Sequence, residues 1–267
     1  MKTTATTTEP RSRLSAKEAS LFLATYADRL FSSGSTVIRL EKNVKRIAAS
    51  LGMEADISIL PHYIYLTVRD EGNRYSHTTA ISIRGGGISF NINTALSRLS
   101  WDMADHKLDF EQARIALTHI ATHSGALNSW LLAVLVGLAN AAFCRLFGGD
   151  FVAMGIIFVS TFAGYLIKQL LMERKVDYRL VVMLCSFVSS VLSSADGLFH
   201  LGTTPGQTIA TSVLYLVPGI PFINSFCDMI DRHYICAFSR LTDAIVITCC
   251  MSAGLLGGML LMHEGMF

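Results

Sequence analysis

Near the C-terminal end of the chain, two prolines and a glycine interrupt an apolar segment. It reads Leu216, Val217, Pro218, Gly219, Ile220, Pro221, Phe222, Ile223, Asn224, and Asp228 follows one turn later. Proline removes a backbone donor and its ring clashes with the preceding turn, so it stops or kinks a helix. Inside a bilayer, freed backbone groups are tolerated only against protein or a water-lined cavity. Broken helices at that depth offer helix-end dipoles and unwound carbonyls to small solutes, and they point to transport sites. The chemistry this pattern predicts is the binding and movement of a solute. Pro218, Gly219 and Pro221 open the backbone, Asn224 ligates, and Asp228 is the candidate proton carrier.

Ionisable and strongly polar residues inside apolar runs are expensive and are functional candidates by default. Arg145 ends the first such run, and Lys168 with Gln169 ends the second. Both cations have the length to meet a substrate carboxylate or to snorkel to an interface. Asn140, well inside the first run, serves either as an interhelical hydrogen-bond donor or as a substrate ligand. A dianionic substrate favours using both cations, because one cation leaves the second carboxylate uncompensated. A zwitterion needs one cation and one acceptor. The residues permit either.

Other constellations carry less. Arg84-Gly85-Gly86-Gly87 is not GxGxxG and has no Lys-Ser/Thr partner, so it reads as a turn. His119 and His123 share a helical face, but no HExxH glutamate or third ligand accompanies them. His62 and His77 are single strand histidines. There is no GxSxG, no spaced Ser/His/Asp set and no Walker motif. The expectation is no enzyme, no cofactor, no metal and no nucleic-acid partner. The six cysteines all lie in or beside apolar runs, without a CxxC pair, and read as small apolar filler.

The elements that must position these residues divide the chain in two. Most charged residues lie before Asn128, and the apolar surplus lies after it. Residues 1–13 read as a disordered polar tail with no signal peptide, 14–127 as a cytoplasmic α/β (α+β) domain, and 128–267 as a transmembrane domain. Five apolar runs, at about 130–147, 151–171, 180–199, 208–226 and 244–262, each approach the roughly 20 residues of a spanning helix. The third is short and ends in serines before Asp196. The fold class expected is thus an N-terminal α+β domain followed by an all-α bundle of five transmembrane helices. Lys168, Arg174, Lys175 and Arg179 mark one link, and Arg232 and Arg240 another, as cytoplasmic, which puts the N-terminus inside and the C-terminus outside. An odd number of spans implies an oligomer or a partner chain. Gly254, Gly257 and Gly258 in the last run predict close helix packing.

In the polar domain, Ser15 and Glu18 form a capping-box pattern before a helix to about Ser32, with Leu21, Leu23, Tyr26, Ala27 and Leu30 on one face. A second helix runs from near Ser35 to Gly52, a C′ glycine, with Val37, Leu40, Val44, Ile47 and Leu51 as its stripe. Alternation over 56–60, 63–69 and 74–83 predicts strands, with a hairpin turn at 70–73. Helical patterns return at 92–103 and 110–122.

Three motifs together resemble the threonine/serine exporter family in its split form. They are Gly34-Ser35-x-x-x-Arg39-x-Glu41, Trp130-Leu131-x-Ala133-x-x-Val136-Gly137-Leu138, and Val217-Pro218-Gly219-x-Pro221-x-x-Asn224-x-x-x-Asp228. The likeness covers about 14–261. It implies a cytoplasmic N-terminal domain, export of threonine, serine or, for the split pair, succinate, and a second, smaller membrane subunit of the YjjB type in a bacterial inner membrane. Gly34-Ser35 departs from the commoner Gly-Ala, and Asp231-Arg232-His233 from Gly-His or Gly-Asp. The competing reading is a membrane-anchored ligand-sensing or regulatory protein, for which one or two helices would suffice.

Overall fold

A computed structural model of the chain describes residues 14–70, 75–83, 87–122 and 128–262. The predicted turn at 70–73, the glycine run at 84–87 and His123 fall wholly or partly outside these residues.

The chain forms two compact units. The first takes in residues up to Ser124 together with Asn224–Ser239; the second comprises Gly125–Ile223 and the residues from Arg240 onward. The return of Asn224–Ser239 to the first unit goes with Asp228, Asp231, Arg232 and His233, which make this stretch more polar than a span.

In the first unit, α1 (Ala16–Ser32) starts at the expected capping box: the Ser15 side chain accepts the Glu18 N–H, and the Glu18 carboxylate reaches back to the Ser15 backbone. Those hydrogen bonds hold the Glu18 carboxyl below its ordinary range. Helix α2 (Val37–Ser50) follows, ending at Gly52 with φ +70°, where a side chain would be strained. Strands β1 (Met53–Ile59), β2 (Tyr63–Asp70) and β3 (Ser76–Ser82) form an antiparallel meander in the order β1-β2-β3. Ile59 faces Ile64 across the first pair and Tyr63 faces Ser82 across the second. Strand β1 begins three residues before the sequence expectation, because Met53 and Ala55 alternate inward ahead of it. With consecutive antiparallel strands the domain is α+β. Ile64, Leu66 and Val68 point inward from β2, and Leu23, Tyr26, Leu30, Leu40 and Ile47 from the two helices meet them. Leu21, expected on that face, is half exposed instead. Helices α3 (Phe90–Ala104) and α4 (Phe110–Thr122) close the core through Leu96, Leu99, Ala113 and Leu117. The Tyr26 hydroxyl donates to the Leu96 carbonyl at 2.9 Å and ties α1 to α3.

In the second unit, α5 (Ser129–Leu146) and α6 (Phe151–Glu173) pack as a hairpin, and α6 packs on α7 (Tyr178–Ser193). The short α8 (Ala195–Phe199) leads to α9 (Pro205–Ser212), which sits among α5, α6 and α7. A 3₁₀ turn over Leu214–Leu216, α10 (Gly219–Ile230) and the long α11 (Tyr234–Leu261) complete the chain. Among the described residues, four helices are long and apolar enough to cross a membrane: Ser129–Leu146, Phe151–Glu173, Tyr178–Phe199 and Tyr234–Leu261. Pro205–Leu216 and Gly219–Ile230, bent by 62° at their junction, make a fifth when taken as one span. The last helix begins ten residues before the apolar run expected at 244–262, since Tyr234–Phe238 extend it with large apolar side chains. Two of the three predicted glycines, Gly254 and Gly258, close on a neighbour, whereas Gly257 makes only ordinary contact with Phe187. A Cβ on Gly254 would collide with the Met183 carbonyl, and one on Gly258 would lie 2.6 Å from Ser190 Cβ.

Candidate functional site

The predicted break is present. Val217 takes an extended conformation, φ −59° and ψ 125°, because Pro218 disfavours the helical region for the residue before it. The helix resumes at Gly219. Pro221 lies in the first turn of α10, where a missing N–H leaves no helical bond unmade. The two prolines, both expected to open the backbone, therefore act differently: Pro218 breaks the chain and Pro221 starts the next helix.

The polar residues after the break turn to the first unit. The Asn224 side-chain amide donates to the Gly34 carbonyl at 2.9 Å. The Asp228 carboxylate accepts the Val37 N–H at 2.9 Å. Helix α2 has no cap of its own, since the Thr36 side chain makes no capping bond. Asp228, 191 residues away in sequence and fully buried, supplies that acceptor, which the positive end of the helix favours. Gly34, at φ +88°, turns the chain into α2, and a Cβ there would press Ile88 at 3.1 Å. Ser35 beside it is buried. The Cys236 thiol donates to the Ile59 carbonyl at 3.2 Å. Two motifs far apart in the sequence thus meet at one helix terminus. Of the other motif residues, Arg39 donates to the Asn93 side chain at 2.8 Å and borders a cleft of about 530 Å³ with Lys42, Arg46 and Trp101. Glu41 pairs with Lys45 and lies 3.8 Å from His233.

The second unit has a polar interior. Ser186, Ser189, Ser190 and Ser193 recur at helical spacing on α7 and are fully buried. Ser186 and Ser190 donate to the Met251 and Leu255 carbonyls of α11. Ser193 donates to Ser160, which donates to the Ser189 carbonyl, and the Ser189 hydroxyl bonds the Tyr215 hydroxyl at 3.0 Å. Gly164 leaves the space that Tyr215 fills, because a Cβ there would overlap the phenol oxygen. Asn140 donates to Thr161 at 2.7 Å and to the Thr211 carbonyl at 3.1 Å, linking α5, α6 and α9. The hydroxyl seam reaches Tyr215, in the turn just before the break. Meanwhile Leu131, Leu135, Leu138, Val159, Leu184 and Leu260 face outward.

The predicted cations are not gathered on this seam. Arg145 donates to the Gly149 carbonyl and lies over the Phe151 ring at the start of α6. Lys168 lies between the Tyr165 and Tyr178 rings, and the Gln169 side chain donates to the Ser129 carbonyl near the other end of α6. At 1.5 Å per helical residue the two cations stand about 25 Å apart, so they cannot clamp one small dianion together.

Sequence reasoning passed over Asp196 and its surroundings. Asp196 is fully buried and accepts the Gly202 N–H at 2.8 Å and the Thr208 hydroxyl at 2.5 Å. Asp150, the N-cap of α6, accepts the Ala153 N–H and both the N–H and hydroxyl of Thr203. The signal was legible: the serines of α7 form an i, i+3, i+4, i+7 face that leads to an acidic residue. Their polarity instead weakened the third span in a reading that looked for apolar length. Among the described residues, no group of His, Cys, Asp and Glu side chains could hold a metal ion.

The family described as "Putative threonine/serine exporter" matches the chain over residues 21–262. The chain belongs to this family. It is also similar to two proteins named "Probable succinate transporter subunit YjjP". The one from Klebsiella aerogenes is 29% identical over 233 residues, covering 86% of this chain and 88% of that protein. The one from Escherichia coli K12 is 28% identical over 229 residues, covering 84% and 87%. No solved structure matches the chain. As a member of the exporter family with several apolar helices, it is a multi-pass inner-membrane transporter and not an enzyme. That identity accounts for a greasy exterior around a hydroxyl-lined interior, which a soluble helical bundle would not tolerate.

Proposed function

We propose that this chain is one subunit of a split secondary exporter for small carboxylates, with a succinate-like dicarboxylate as the first substrate to test and threonine or serine as the alternative. The observation that carries the reading is the run of buried hydroxyls leading to Tyr215 at the bent junction of α9 and α10. Both relatives named above are called transporter subunits, which supports a partner; a smaller YjjB-like membrane protein fits the odd number of spans. In this reading the bent pair counts as the fourth of five spans, residues 14–127 face the cytoplasm and the C-terminus faces the periplasm. The cation-rich link Arg174, Lys175 and Arg179 supports that orientation.

Pro218, Gly219 and Pro221 form the hinge of the fourth span. Asn224 and Asp228 act in gating, because their side chains hold the segment after the hinge to the turn at Gly34-Ser35 and the start of α2. Asn140 fixes α5, α6 and α9 around the seam. Lys168, framed by two aromatic rings near the cytoplasmic end, receives a substrate carboxylate there, with Gln169 next to it. Arg145 sits at the opposite end, where a carboxylate would leave.

The test is efflux from cells deleted for this gene and its partner, then complemented with either or both. Labelled succinate, threonine and serine are loaded, and their loss to the medium is followed. The reading requires export only when both chains return. Equal efflux of all three solutes with and without the pair would refute it.

A further inference from the structure

We infer that Asp196 is the proton-binding group of this transporter. The inference deepens the exporter reading above and moves the proton from Asp228, whose carboxylate is committed to the start of α2.

The argument begins with counting hydrogens. Thr208 Oγ1 lies 2.5 Å from Asp196 Oδ2 and 3.1 Å from the Thr204 carbonyl oxygen. A threonine hydroxyl has one proton to donate. While Asp196 is ionised, that proton serves one of the two acceptors and leaves the other contact unfilled. When Asp196 is protonated, its own O–H donates to Thr208 Oγ1, and Thr208 donates to Thr204. The Gly202 N–H keeps its bond to Asp196 Oδ1, 2.8 Å away, in both states. The same heavy-atom positions therefore accommodate both states, and only the protonated one fills both Thr208 hydroxyl contacts, the Thr204 carbonyl accepting the Thr208 N–H in either. Two residues earlier, the Ser194 hydroxyl is fully buried and has no hydrogen-bond partner. A buried polar group with nothing to bond is costly.

Charge placement agrees. A Cβ on Gly202 would stand 2.9 Å from both Asp196 Oδ1 and Asp150 Oδ2, so the two carboxylates converge on one glycine. Asp150 has three donors that favour its ionised form. The Asp196 carboxylate thus stands across Gly202 from a second carboxylate. The remaining titratable groups on the surrounding elements are few. Helix α9 has none, and α8 has none besides Asp196 itself. His200 follows α8 and is exposed. On α7, Cys185, Arg179 and Tyr178 lie about three or more turns away by sequence spacing. Arg145 lies at this end and donates to the Gly149 carbonyl beside Asp150, but among the described residues no cation is within ion-pair distance of Asp196 itself.

The step is simple. A proton from water at this end of the bundle adds to the Asp196 carboxylate, forming one O–H bond and cancelling one negative charge. Its release to the opposite side regenerates the carboxylate. One proton inward accompanies the outward solute, and no electron moves.

Two measurements test the assignment. Infrared difference spectra of the purified full chain between acid and alkaline buffer should show the carbonyl stretch of a protonated carboxylic acid that is absent in Asp196→Asn. An unchanged band in that variant would overturn the inference whether or not the chain exports anything. The second uses vesicles containing both subunits. Asp196→Asn should keep exchange of labelled for unlabelled substrate without a pH gradient, while transport driven by a pH step falls by roughly tenfold or more. Asp196→Glu, which keeps a titratable carboxyl, should restore the pH-driven component with a displaced pH profile. Loss of exchange in both variants assigns Asp196 a structural role and overturns the inference. Wild-type vesicles that move no carboxylate or amino acid would instead sink the exporter reading, with the infrared band still deciding Asp196.

Discussion

Asp228 illustrates how a residue's chemistry depends on what the fold brings to it. From sequence it is an acid one turn beyond a broken span. In the structure it is the missing cap of α2, and its acceptor oxygen lies 2.9 Å from the Val37 nitrogen. Removing it leaves a buried donor without a partner, which costs about 1–3 kcal/mol. Asp228→Ala should lower the thermal midpoint of the purified protein, and Asp228→Asn, which keeps an acceptor oxygen, should recover most of the loss. Equal midpoints for Ala and wild type would remove the capping role. Asp150 gives a residue-scale prediction of a different kind. Backbone N–H groups of Ala153 and Thr203, with the Thr203 hydroxyl, hold its carboxyl below the ordinary carboxylate range. A depressed folded-state value contributes stability above the unfolded value, and that contribution disappears as pH falls through the folded one. The midpoint difference between wild type and Asp150→Asn should therefore be constant near neutrality and shrink in acid below the normal aspartate range. A difference independent of pH down to strongly acidic buffer would count against an ionised cap.

At the level of elements, the close contact of α7 with α11 rests on two glycines. Gly254 and Gly258 leave room for the Met183 carbonyl and for Ser190, and the Ser186 and Ser190 hydroxyls bond across the same interface. Gly258→Leu should separate the helices and break those bonds. The expected result is poor yield of folded protein and a lower midpoint, whereas Gly257→Ala, where the nearest atom to a new Cβ is Phe187 Cδ2 at 3.5 Å, should be tolerated. Equal behaviour of the two would show that the interface is looser than the structure has it. The small-residue pattern here was readable from spacing, as were the capping box, the three strands and the break at Pro218, because each depends on neighbours within a turn or a strand pair. Three features were not. The partnership of Asn224 and Asp228 with Gly34 and Val37 joins residues about 190 apart, and a local pattern has no access to that pairing. The separation of Arg145 from Lys168 follows from the length of α6, which sequence predicted, but the inference that both serve one substrate ignored it. The inward serines of α7 interrupt the hydropathy of that run, although their period already defines a face.

Taken as a whole, the chain has two units built for different surroundings. The first hides Leu23, Tyr26, Leu30, Leu40, Ile64 and Leu66 and shows charged residues to water. The second hides Ser160, Thr161, Ser186, Ser189, Ser193 and Thr208 and shows Leu131, Leu138, Phe143, Leu146 and Phe151. In water the second arrangement would aggregate, since apolar patches of that extent mark contact surfaces. In lipid it is the favourable one, because the hydrophobic exterior costs nothing and the hydroxyls find partners inside. The contrast gives a direct test of orientation. If the first unit lies in the cytoplasm and five spans follow, the link at Gly148–Asp150 and the residues after Leu261 lie on the far side, while Arg174–Asp177 lies with the N-terminus. Single cysteines placed at Phe147, exposed beside that link, and at Lys175 in a cysteine-free variant should label oppositely with an impermeant maleimide in intact spheroplasts, Phe147→Cys reacting and Lys175→Cys reacting only after lysis. A fluorescent protein fused to the C-terminus should stay dark when carried there through the general secretion route, and alkaline phosphatase fused to the same point should be active. Labelling of Lys175→Cys in intact spheroplasts would invert the molecule, and with it the side from which Asp196 takes its proton.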